Sequence, residues 1–415
     1  MKYYLVGIKG SGMSALATYL KTKGHEVTGS DTLQNYGFEQ NLISNNIKVF
    51  SFSKENIKPE YIYIISNAYK DDFEEVREIK KNNYTHFYYH EFISKIQSFQ
   101  IAVSGTHGKT TTTTFIKDLL IDEDISYIIG DGSGYGSVND KYLIYEACEY
   151  QDHFLVYHPD ILVITNIDYD HPDYFKDLSH VTTSFNKLKK QSKMVIELEQ
   201  DDFEILKVSS RNTKLKYLGN IYEINLVGTH LIKDLVLAFK VLTYLGYNHE
   251  YIYSRLNNIK MPKRRMEEKY LGNTIIVEDY GHHPKEIKAL YDTLKTKYPT
   301  YLMTCIFQPH TYSRTFTFYK EFIKSLSLFD QVFIDDVFTS KREPYSIEKQ
   351  NQVNYLFNMF HSYCNFDFSQ INFNNFQIIV LLGAGDVNKR FLEKLKNEKE
   401  WKYFHIYWKL KKEIV

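Results

Sequence analysis

The stretch from Val103 to Thr114 constrains this chain more than any other. It reads Val103-Ser104-Gly105-Thr106-His107-Gly108-Lys109-Thr110, and threonines continue to Thr114. Before it, Ile101-Ala102-Val103 has the character of a buried strand. After it, Phe115-Ile116-Lys117-Asp118-Leu119-Leu120 has the spacing of a helix with one apolar face. A strand, a glycine-bearing turn and a helix form a phosphate-binding unit. Backbone N–H groups at the helix start, the Lys109 ammonium and the Thr110 hydroxyl can together hold a triphosphate and its Mg²⁺. The strict P-loop pattern also asks for a glycine five residues before Gly108, where this chain has Val103. The pattern is therefore partial, and a plain glycine turn before a threonine-rich helix is the alternative.

A chain of 415 residues predicts two or three domains, because single cores rarely grow past ~250 residues. Lys plus Arg equals Asp plus Glu at 51 each, so no general field draws the chain to nucleic acid or an anionic membrane. No apolar run approaches the ~20 residues that a membrane helix needs. The opening Met1-Lys2-Tyr3-Tyr4-Leu5-Val6-Gly7 goes straight into strand and glycine turn, unlike a signal peptide. Cys148, Cys305 and Cys364 are scattered without metal-ligand spacing, which suits a reducing cytosol. A cytoplasmic protein is expected.

The composition shift near Gln97-Ser98 places the first boundary, giving a first domain over 1–98. Tyr3–Val6, the glycine turn Gly7-Ile8-Lys9-Gly10-Ser11-Gly12-Met13-Ser14, the helical run Ala15–Leu20 and the strand His25–Gly29 make a βαβ unit closed by Ser30-Asp31. The glycine spacing is Gly-x-x-Gly-x-Gly and not Gly-x-Gly-x-x-Gly, which argues against a dinucleotide and for another phosphate-bearing ligand. Tyr61–Ile65 is a further strand, ending in Ser66-Asn67-Ala68 at a ligand-facing edge. Asp71–Lys81 has a charged helical pattern, expected to be a solvated face.

A second domain over 99–260 follows. Tyr142–Tyr145 ends in Glu146-Ala147-Cys148-Glu149, and carboxylates at a strand end beside a phosphate loop suit Mg²⁺, which takes hard oxygens. Ile161–Ile164 runs into Thr165-Asn166-Ile167-Asp168-Tyr169-Asp170-His171-Pro172-Asp173-Tyr174, a polar edge after a buried strand. His171 there can bind a metal ion or orient a carboxylate. Gly-Thr-His-Gly-Lys-Thr, Glu-Ala-Cys-Glu with His153-Phe154 nearby, and Thr-Asn-Ile-Asp-x-Asp-His-Pro-Asp-Tyr resemble the motifs of the Mur ligases, in the form found in Gram-positive bacteria. Gly-Ile-x-Gly-x-Gly-Met-Ser near the N-terminus matches as well. In that family Gly228-Thr229-His230 would be followed by an asparagine, where this chain has Leu231, and a second asparagine aligns near Asp234. The β-rich part after Met194-Val195-Ile196 looks shortened.

The third domain, 261–415, opens on Lys263-Arg264-Arg265-Met266-Glu267. The strands Ile275–Val277, Leu302–Phe307, Val332–Ile334 and Ile378–Leu382 end in polar loops and alternate with helices, which predicts a doubly wound sheet with its ligand edge at the strand carboxyl ends. The adjacent pair His282 and His283 lacks a third ligand at a spacing that suits zinc. Arg342-Glu343-Pro344 fits the family and is expected to face the nucleotide. The last 25 residues read as a charged helix and a short strand without an assigned role.

The fold class expected is thus α/β in three domains: a Rossmann-like UDP-binding domain, a central P-loop ATPase-type domain with a mostly parallel sheet, and a C-terminal Rossmann-like domain. The resemblance implies an ATP-dependent acid–amino-acid ligase of peptidoglycan precursor synthesis. Its substrates would be UDP-N-acetylmuramate and L-alanine, its cofactors ATP and Mg²⁺, its oligomeric state monomer or homodimer, with no nucleic-acid or membrane partner. By the same resemblance Gly105, Thr106, His107, Gly108, Lys109, Thr110 and Thr111, with His230 and Arg265, hold ATP, while Thr110, Glu149 and His171 hold the metal. Gly10, Ser11, Gly12, Met13, Ser14, Asp31, Ser66, Asn67 and Asn166 bind the sugar nucleotide. Tyr280, His282 and Arg314 line the amino-acid site, with Arg314 pairing the alanine carboxylate and His282 a candidate proton acceptor. Closure of the third domain onto the second would gate the reaction. Two alternatives stay open, a murein-peptide ligase on the same sugar and a degenerate nucleotide- or sugar-binding protein without catalysis.

Overall fold

The strand β1 (Lys2–Val6) is buried from its second residue onward, as a central strand covered on both faces must be. It pairs in parallel with β2 (Glu26–Asp31) on one side and β4 (Ile62–Ile65) on the other. With β3 (Lys48–Ser51) and β5 (His86–Tyr88) the first sheet runs β3-β2-β1-β4-β5, all parallel. Strand order reverses at β1, so the crevice beyond the carboxyl ends of β1 and β4 is where such a sheet takes its ligand. The computed structural model of the protein describes residues 1–33, 37–339, 343–358, 363–364 and 377–397.

Helix α1 (Ser11–Thr22) starts earlier than its apolar run suggested, so Ser11 to Ser14 form its first turn and only Gly7 to Gly10 remain a loop. Every residue from Met13 to Leu20 is buried. A helix apolar all round needs cover on both sides. One side is the first sheet. The other is the glycine-rich hairpin of the second sheet, built from β6 (Gln100–Ser104), β7 (Ile125–Ile128), β8 (Gly134–Tyr135), β9 (Tyr142–Glu146), β10 (Ile161–Ile164) and β11 (Met194–Ile196) in the order β11-β10-β6-β9-β7-β8. A Cβ placed on Gly134 would lie 1.9 Å from the Ala15 carbonyl oxygen. Asn41 Nδ2 donates to Gly132 O at 2.7 Å, and Lys23 pairs with Asp140 at 2.6 Å. One apolar core accordingly runs from Leu5 and Ile64 of the first sheet to Ala102, Leu143 and Leu162 of the second.

The helices α2 (Glu39–Ser44), α3 (Glu74–Lys81), α4 (Tyr89–Ser94), α5 (Lys109–Leu119) and α6 (Leu178–Gln191) fill the crossovers. Helix α3 carries the expected solvated face, with Glu74 and Arg77 exposed, and one exception. Glu75 is fully buried. Its carboxylate accepts from Tyr4 Oη at 3.3 Å, Ser53 N at 3.0 Å, Asn56 Nδ2 at 3.2 Å and the Ser30 hydroxyl. Burial raises its pKa against those donors, and the buried acid is tolerated because its lone pairs are satisfied.

After the second sheet comes a small antiparallel one, β12 (Phe203–Val208), β13 (Thr213–Tyr217) and β14 (Asn220–Ile224), with a bulge between Ile205 and Lys207. Helix α7 (Thr229–Tyr244) follows. The chain divides into two compact units: Met1–Val208, Asn212–Leu226 and His230–Pro262 form one, and Lys263 onward makes most of the other. The second unit holds β15 (Glu267–Leu271), β16 (Thr274–Asp279), β17 (Leu302–Phe307), β18 (Gln331–Ile334), β19 (Tyr363–Cys364) and β20 (Gln377–Leu382), in the order β15-β16-β20-β17-β18-β19. All pairs are parallel except the edge strand β15, whose half-buried polar residues carried no strand signal. Arg342 and residues 398–415 lie outside the described residues. No described helix is long and apolar enough to cross a membrane.

The contact at Gly134 is tight backbone against backbone, with no flexible side chain to give way. Gly134→Ala is expected to lower stability by roughly 1–3 kcal/mol through overpacking. A chaotrope midpoint equal to the wild type would contradict this seam between helix and hairpin.

Candidate functional site

The phosphate loop leaves β6 at Ser104 and enters α5 at Lys109. Val103, which breaks the strict pattern, lies inside β6 opposite Glu146 and Val163, so strand packing occupies that position and the turn begins later. Gly108 caps the helix at φ +83°, and a Cβ there would meet Asp234 Oδ1 at 2.6 Å. Both the left-handed backbone and the lack of space demand glycine. The loop is held from behind by Asn166. Its Oδ1 accepts from His107 N at 3.1 Å, its Nδ2 donates to His107 O at 2.9 Å, and its backbone oxygen accepts from Thr106 N at 3.1 Å. Thr165 Oγ1 also donates to His107 O, and Thr106 Oγ1 accepts from Asp168 N at 2.8 Å. Asn166, expected to touch substrate, spends its amide on shaping the loop.

Lys109 turns its ammonium into the loop, donating to Gly105 O, to Thr106 O at 3.2 Å and to Glu149 Oε2 at 2.8 Å. The Glu149 side chain is only 2% exposed, and His171 Nε2 lies 3.6 Å from its other oxygen. Burial works to raise the Glu149 pKa, but the Lys109 charge and the His171 contact prevail and hold it down to about 2. Lys109 responds in kind: burial opposes its charge, Glu149 outweighs burial, and its pKa rises. Glu149 Oε1 is buried without a hydrogen-bond donor among the described residues. An ionised carboxylate oxygen so placed suits a hard cation. His171 sits at φ +53° and donates its backbone N–H to Asp170 Oδ1 at 2.7 Å, while its carbonyl accepts from Tyr174 N and Phe175 N, both at 2.9 Å. Its ring lies 4.9 Å from that of Tyr150, which donates to Asp173 Oδ2 at 2.9 Å.

The contact of one acid, Glu146, was missed. Thr110 Oγ1 donates to Glu146 Oε2 at 3.1 Å, and Gly130 N donates to its Oε1 at 2.5 Å. Burial raises the Glu146 pKa. Its place at the strand end marked it as a metal ligand candidate, but nothing in the linear order joined it to Thr110. Thr111, on the next position of α5, is buried. His230 lies in the first turn of α7, and Asp234, buried one turn on, is the residue that stands against Gly108. Leu231 is buried with the apolar residues of the same helix, so its position serves the core.

At the edge of the first sheet, Asp31 is buried and not a solvated loop residue. Its Oδ2 accepts from Lys9 N at 2.7 Å and its Oδ1 from Thr32 N at 2.7 Å, which fixes the glycine turn. Gly10 caps α1, and Ser11 and Gly12 follow it, with Tyr89 Oη 3.0 Å from a Cβ placed on Gly12. Met13 and Ser14 are buried, and Ser14 Oγ donates to Phe38 O at 3.3 Å. Ser66 N donates to Val6 O at 3.0 Å, which puts Ser66-Asn67 beside the carboxyl end of β1.

In the second unit, Tyr280 follows β16, and the guanidinium carbons of Arg264 and Arg265 lie 5.1 and 5.4 Å from its ring centroid. Arg265, expected at the nucleotide, pairs with Glu286 at 3.3 Å and Asp279 at 4.0 Å. His282 Nδ1 donates to Tyr280 O at 3.0 Å and lies 3.9 Å from Glu286 Oε2. Arg314 is 2% exposed and donates from Nη1 to His310 O at 3.3 Å, with His310 Nδ1 at 3.2 Å. Glu343 Oε2 accepts from Tyr312 N at 2.6 Å and Ser313 N at 3.2 Å at the start of that short helix. Thr311 before it sits at φ +67°, ψ 140°, a conformation costly for a side-chain-bearing residue.

A phosphate loop over a mostly parallel sheet, closed by a buried lysine–glutamate pair, is the arrangement of a nucleotide-using enzyme. Residues 2–100 match the Mur ligase family, catalytic domain. The chain is 36% identical over 423 aligned positions to a UDP-N-acetylmuramate–L-alanine ligase of Lactiplantibacillus plantarum, covering 93% of this chain and 96% of that protein. It belongs to the Mur ligase family, a family of ATP-dependent amide-bond ligases. The fold matches the crystal structure of UDP-N-acetylmuramate–alanine ligase from Thermotoga maritima with a TM-score of 0.79 at 22% identity, over 96% of this chain and 100% of that one. A murein peptide ligase from Psychrobacter arcticus shares the fold at a TM-score of 0.69 and 19% identity, over 96% of this chain and 99% of that one.

Breaking a buried pair from one side costs roughly 3–5 kcal/mol, since it strands a charge. Lys109→Met should therefore destabilise the ligand-free protein near neutral pH. The sign follows from the depressed carboxylate: the pair's contribution is full above the ordinary glutamate pKa of 4.5 and is lost as pH falls toward about 2. The stability gap between wild type and variant should close across that window in chaotrope titrations. A gap independent of pH would show that the pair is not buried as described.

Proposed function

We propose that the protein joins L-alanine to the carboxylate of UDP-N-acetylmuramate at the expense of ATP. The buried Lys109–Glu149–His171 constellation at the start of α5 carries this reading, together with the extent of the likeness to the Lactiplantibacillus ligase. A carboxylate oxygen of the sugar nucleotide attacks the γ-phosphorus of ATP, the bond to the bridging oxygen breaks, and ADP leaves. The amine of alanine then attacks the acyl carbon and inorganic phosphate departs, leaving the amide. Such transfer needs positioning and charge neutralisation more than a covalent group on the protein.

Lys109 and the helix-start N–H groups of the loop neutralise the phosphates. The orphaned buried oxygen of Glu149 fits Mg²⁺. Glu149, His171 and Thr110 would hold that ion, which supplies charge neutralisation between the phosphate and the substrate carboxylate. Arg314 receives the alanine carboxylate with a guanidinium fork, and His282 Nε2 takes the ammonium proton. His230 and Asp234 serve the base side of the loop, the glycine turn with Gly10–Ser14 cradles the diphosphate of the sugar nucleotide, and Asp31 and Ser66-Asn67 border that site. The protein works in the cytoplasm, as a monomer or homodimer.

The test is phosphate release by the purified protein with ATP, Mg²⁺ and UDP-N-acetylmuramate, with and without L-alanine. Release that needs both sugar nucleotide and alanine is expected. Release driven by a tripeptide in place of alanine would move the reading to a murein-peptide ligase, and none with either amine, with ATP or GTP, would overturn it. In the same assay Arg314→Lys should raise the KM for alanine about 10- to 100-fold, the cost of an impaired charge-assisted pair, while the KM for ATP stays within twofold or so. A change confined to ATP would place Arg314 at the nucleotide.

A further inference from the structure

Asn67, just past the carboxyl end of β4, holds two histidines at once. Its Oδ1 accepts from His90 Nδ1 at 2.9 Å, and its Nδ2 donates to His153 Nδ1 at 3.1 Å. The two imidazoles lie nearly face to face, with centroids 4.5 Å apart and planes inclined by 22°. The three residues come from separate places: the turn after β4, the start of α4, and the 3₁₀ segment Tyr150–Val156 that begins directly after Glu149. A carboxamide can serve both rings only if their tautomers differ. His90 carries its proton on Nδ1, and His153, accepting there, carries its own on Nε2.

Among the described residues, nothing accepts from His153 Nε2–H, and that atom is not sealed from solvent. Three side chains have thus been committed to fixing one donor, and no acceptor among the described residues uses it. Its position says what could. Beyond His153 stands Tyr150, with ring centroids 6.3 Å apart, and beyond Tyr150 stands His171 at 4.9 Å. A row of rings therefore leads from the ligand edge of the first sheet to the Glu149–His171 site. A sugar nucleotide whose diphosphate lies at that edge and whose acid is phosphorylated beside Lys109 has to lie along this row.

We propose that His153 is a substrate-binding residue, its Nε2–H donating to an anionic oxygen of the sugar nucleotide, with Asn67 and His90 as its positioning residues. The inference rests on the ligase reading above. Burial, more than the surrounding charges, keeps the pair neutral. Burial, then His90 and Lys70, push His153 down to about 4 against the pull of Asp152, and burial lowers His90 against that of Glu91. The donor is a neutral N–H across the working pH range, so it adds no pH dependence of its own between about pH 6 and 8.

The experiment is calorimetric titration of wild-type, His153→Phe and His153→Gln proteins with UDP-N-acetylmuramate and with UDP, alongside steady-state kinetics. His153→Phe keeps the stacked ring and removes the donor. It should bind UDP-N-acetylmuramate about 10- to 100-fold more weakly, with kcat and the KM for ATP within a few-fold of wild type, and His153→Gln should recover part of the loss. Equal weakening toward UDP would assign the contact to the diphosphate, and weakening toward the sugar acid alone would assign it to the acid end. Unchanged affinity for both in a wild type that binds them would overturn the inference and leave the ligase reading standing. A wild type that binds neither would overturn both. In the wild type, the ¹⁵N resonance of His153 Nε2–H should shift on adding the sugar nucleotide, and a resonance that stays in place counts against the contact even if the Phe variant fails to fold.

Discussion

The buried ion pair between Lys109 and Glu149 is the interaction on which the rest of the site depends. Burial penalises each charge, so neither is stable there without the other. Satisfying the pair fixes the first residue of α5 against the loop after β9. With it come the glycine at φ +83° and the hydroxyl of Thr110, which stands beside Glu146. His171 approaches the oxygen of Glu149 that Lys109 does not use.

Around that pair the fold spends its backbone geometry where ligands come close. Asp31 ties down the first glycine turn through two N–H groups, and Asn166 ties down the second through three contacts on Thr106 and His107. Both are polar residues at strand carboxyl ends, and both act on backbone. The seam between helix α1 and the β7–β8 hairpin does the corresponding work at larger scale, joining the first and second sheets into one core. That shared core is why the row from His90 to His171 can hold a fixed spacing.

Much of the fold was legible because parallel strands buried on both faces read as apolar runs. The strands β1, β2, β4, β6, β9, β10 and the central strands of the second unit announced themselves in this way, whereas the edge strands β3 and β5, with no buried residue, did not. The β15 edge strand did not, since its residues are mostly polar and half-buried, and the small antiparallel sheet was legible only as a β-rich part, without its strand bounds. Glu75 was misread for a related reason. A charged helix pattern says that charges are present, and only the hydroxyl and amide donors arriving from β1, β2 and the turn after β3 decide that one of them is buried. Of the site, the phosphate loop, Glu149 and His171 were readable from their order. Glu146 as the partner of Thr110, Asp234 as the neighbour of Gly108, and Arg265 as a residue held by Glu286 and Asp279 were not, because each depends on a contact across the fold.

By itself, the sequence determined the chemistry available: a lysine and threonines after a glycine turn, acids and histidines after buried strands, and the family they identify. Those follow from residue type and local order, which spacing preserves. Tertiary structure decided which of these groups are charged, which are spent on scaffolding, and which are left to meet a ligand. Burial and partnership set protonation and hydrogen bonding, and both are properties of what surrounds a side chain in space. His153 shows the difference most clearly. In sequence it is a histidine beside a phenylalanine; in the fold, Asn67 and His90 determine which of its nitrogens carries the proton.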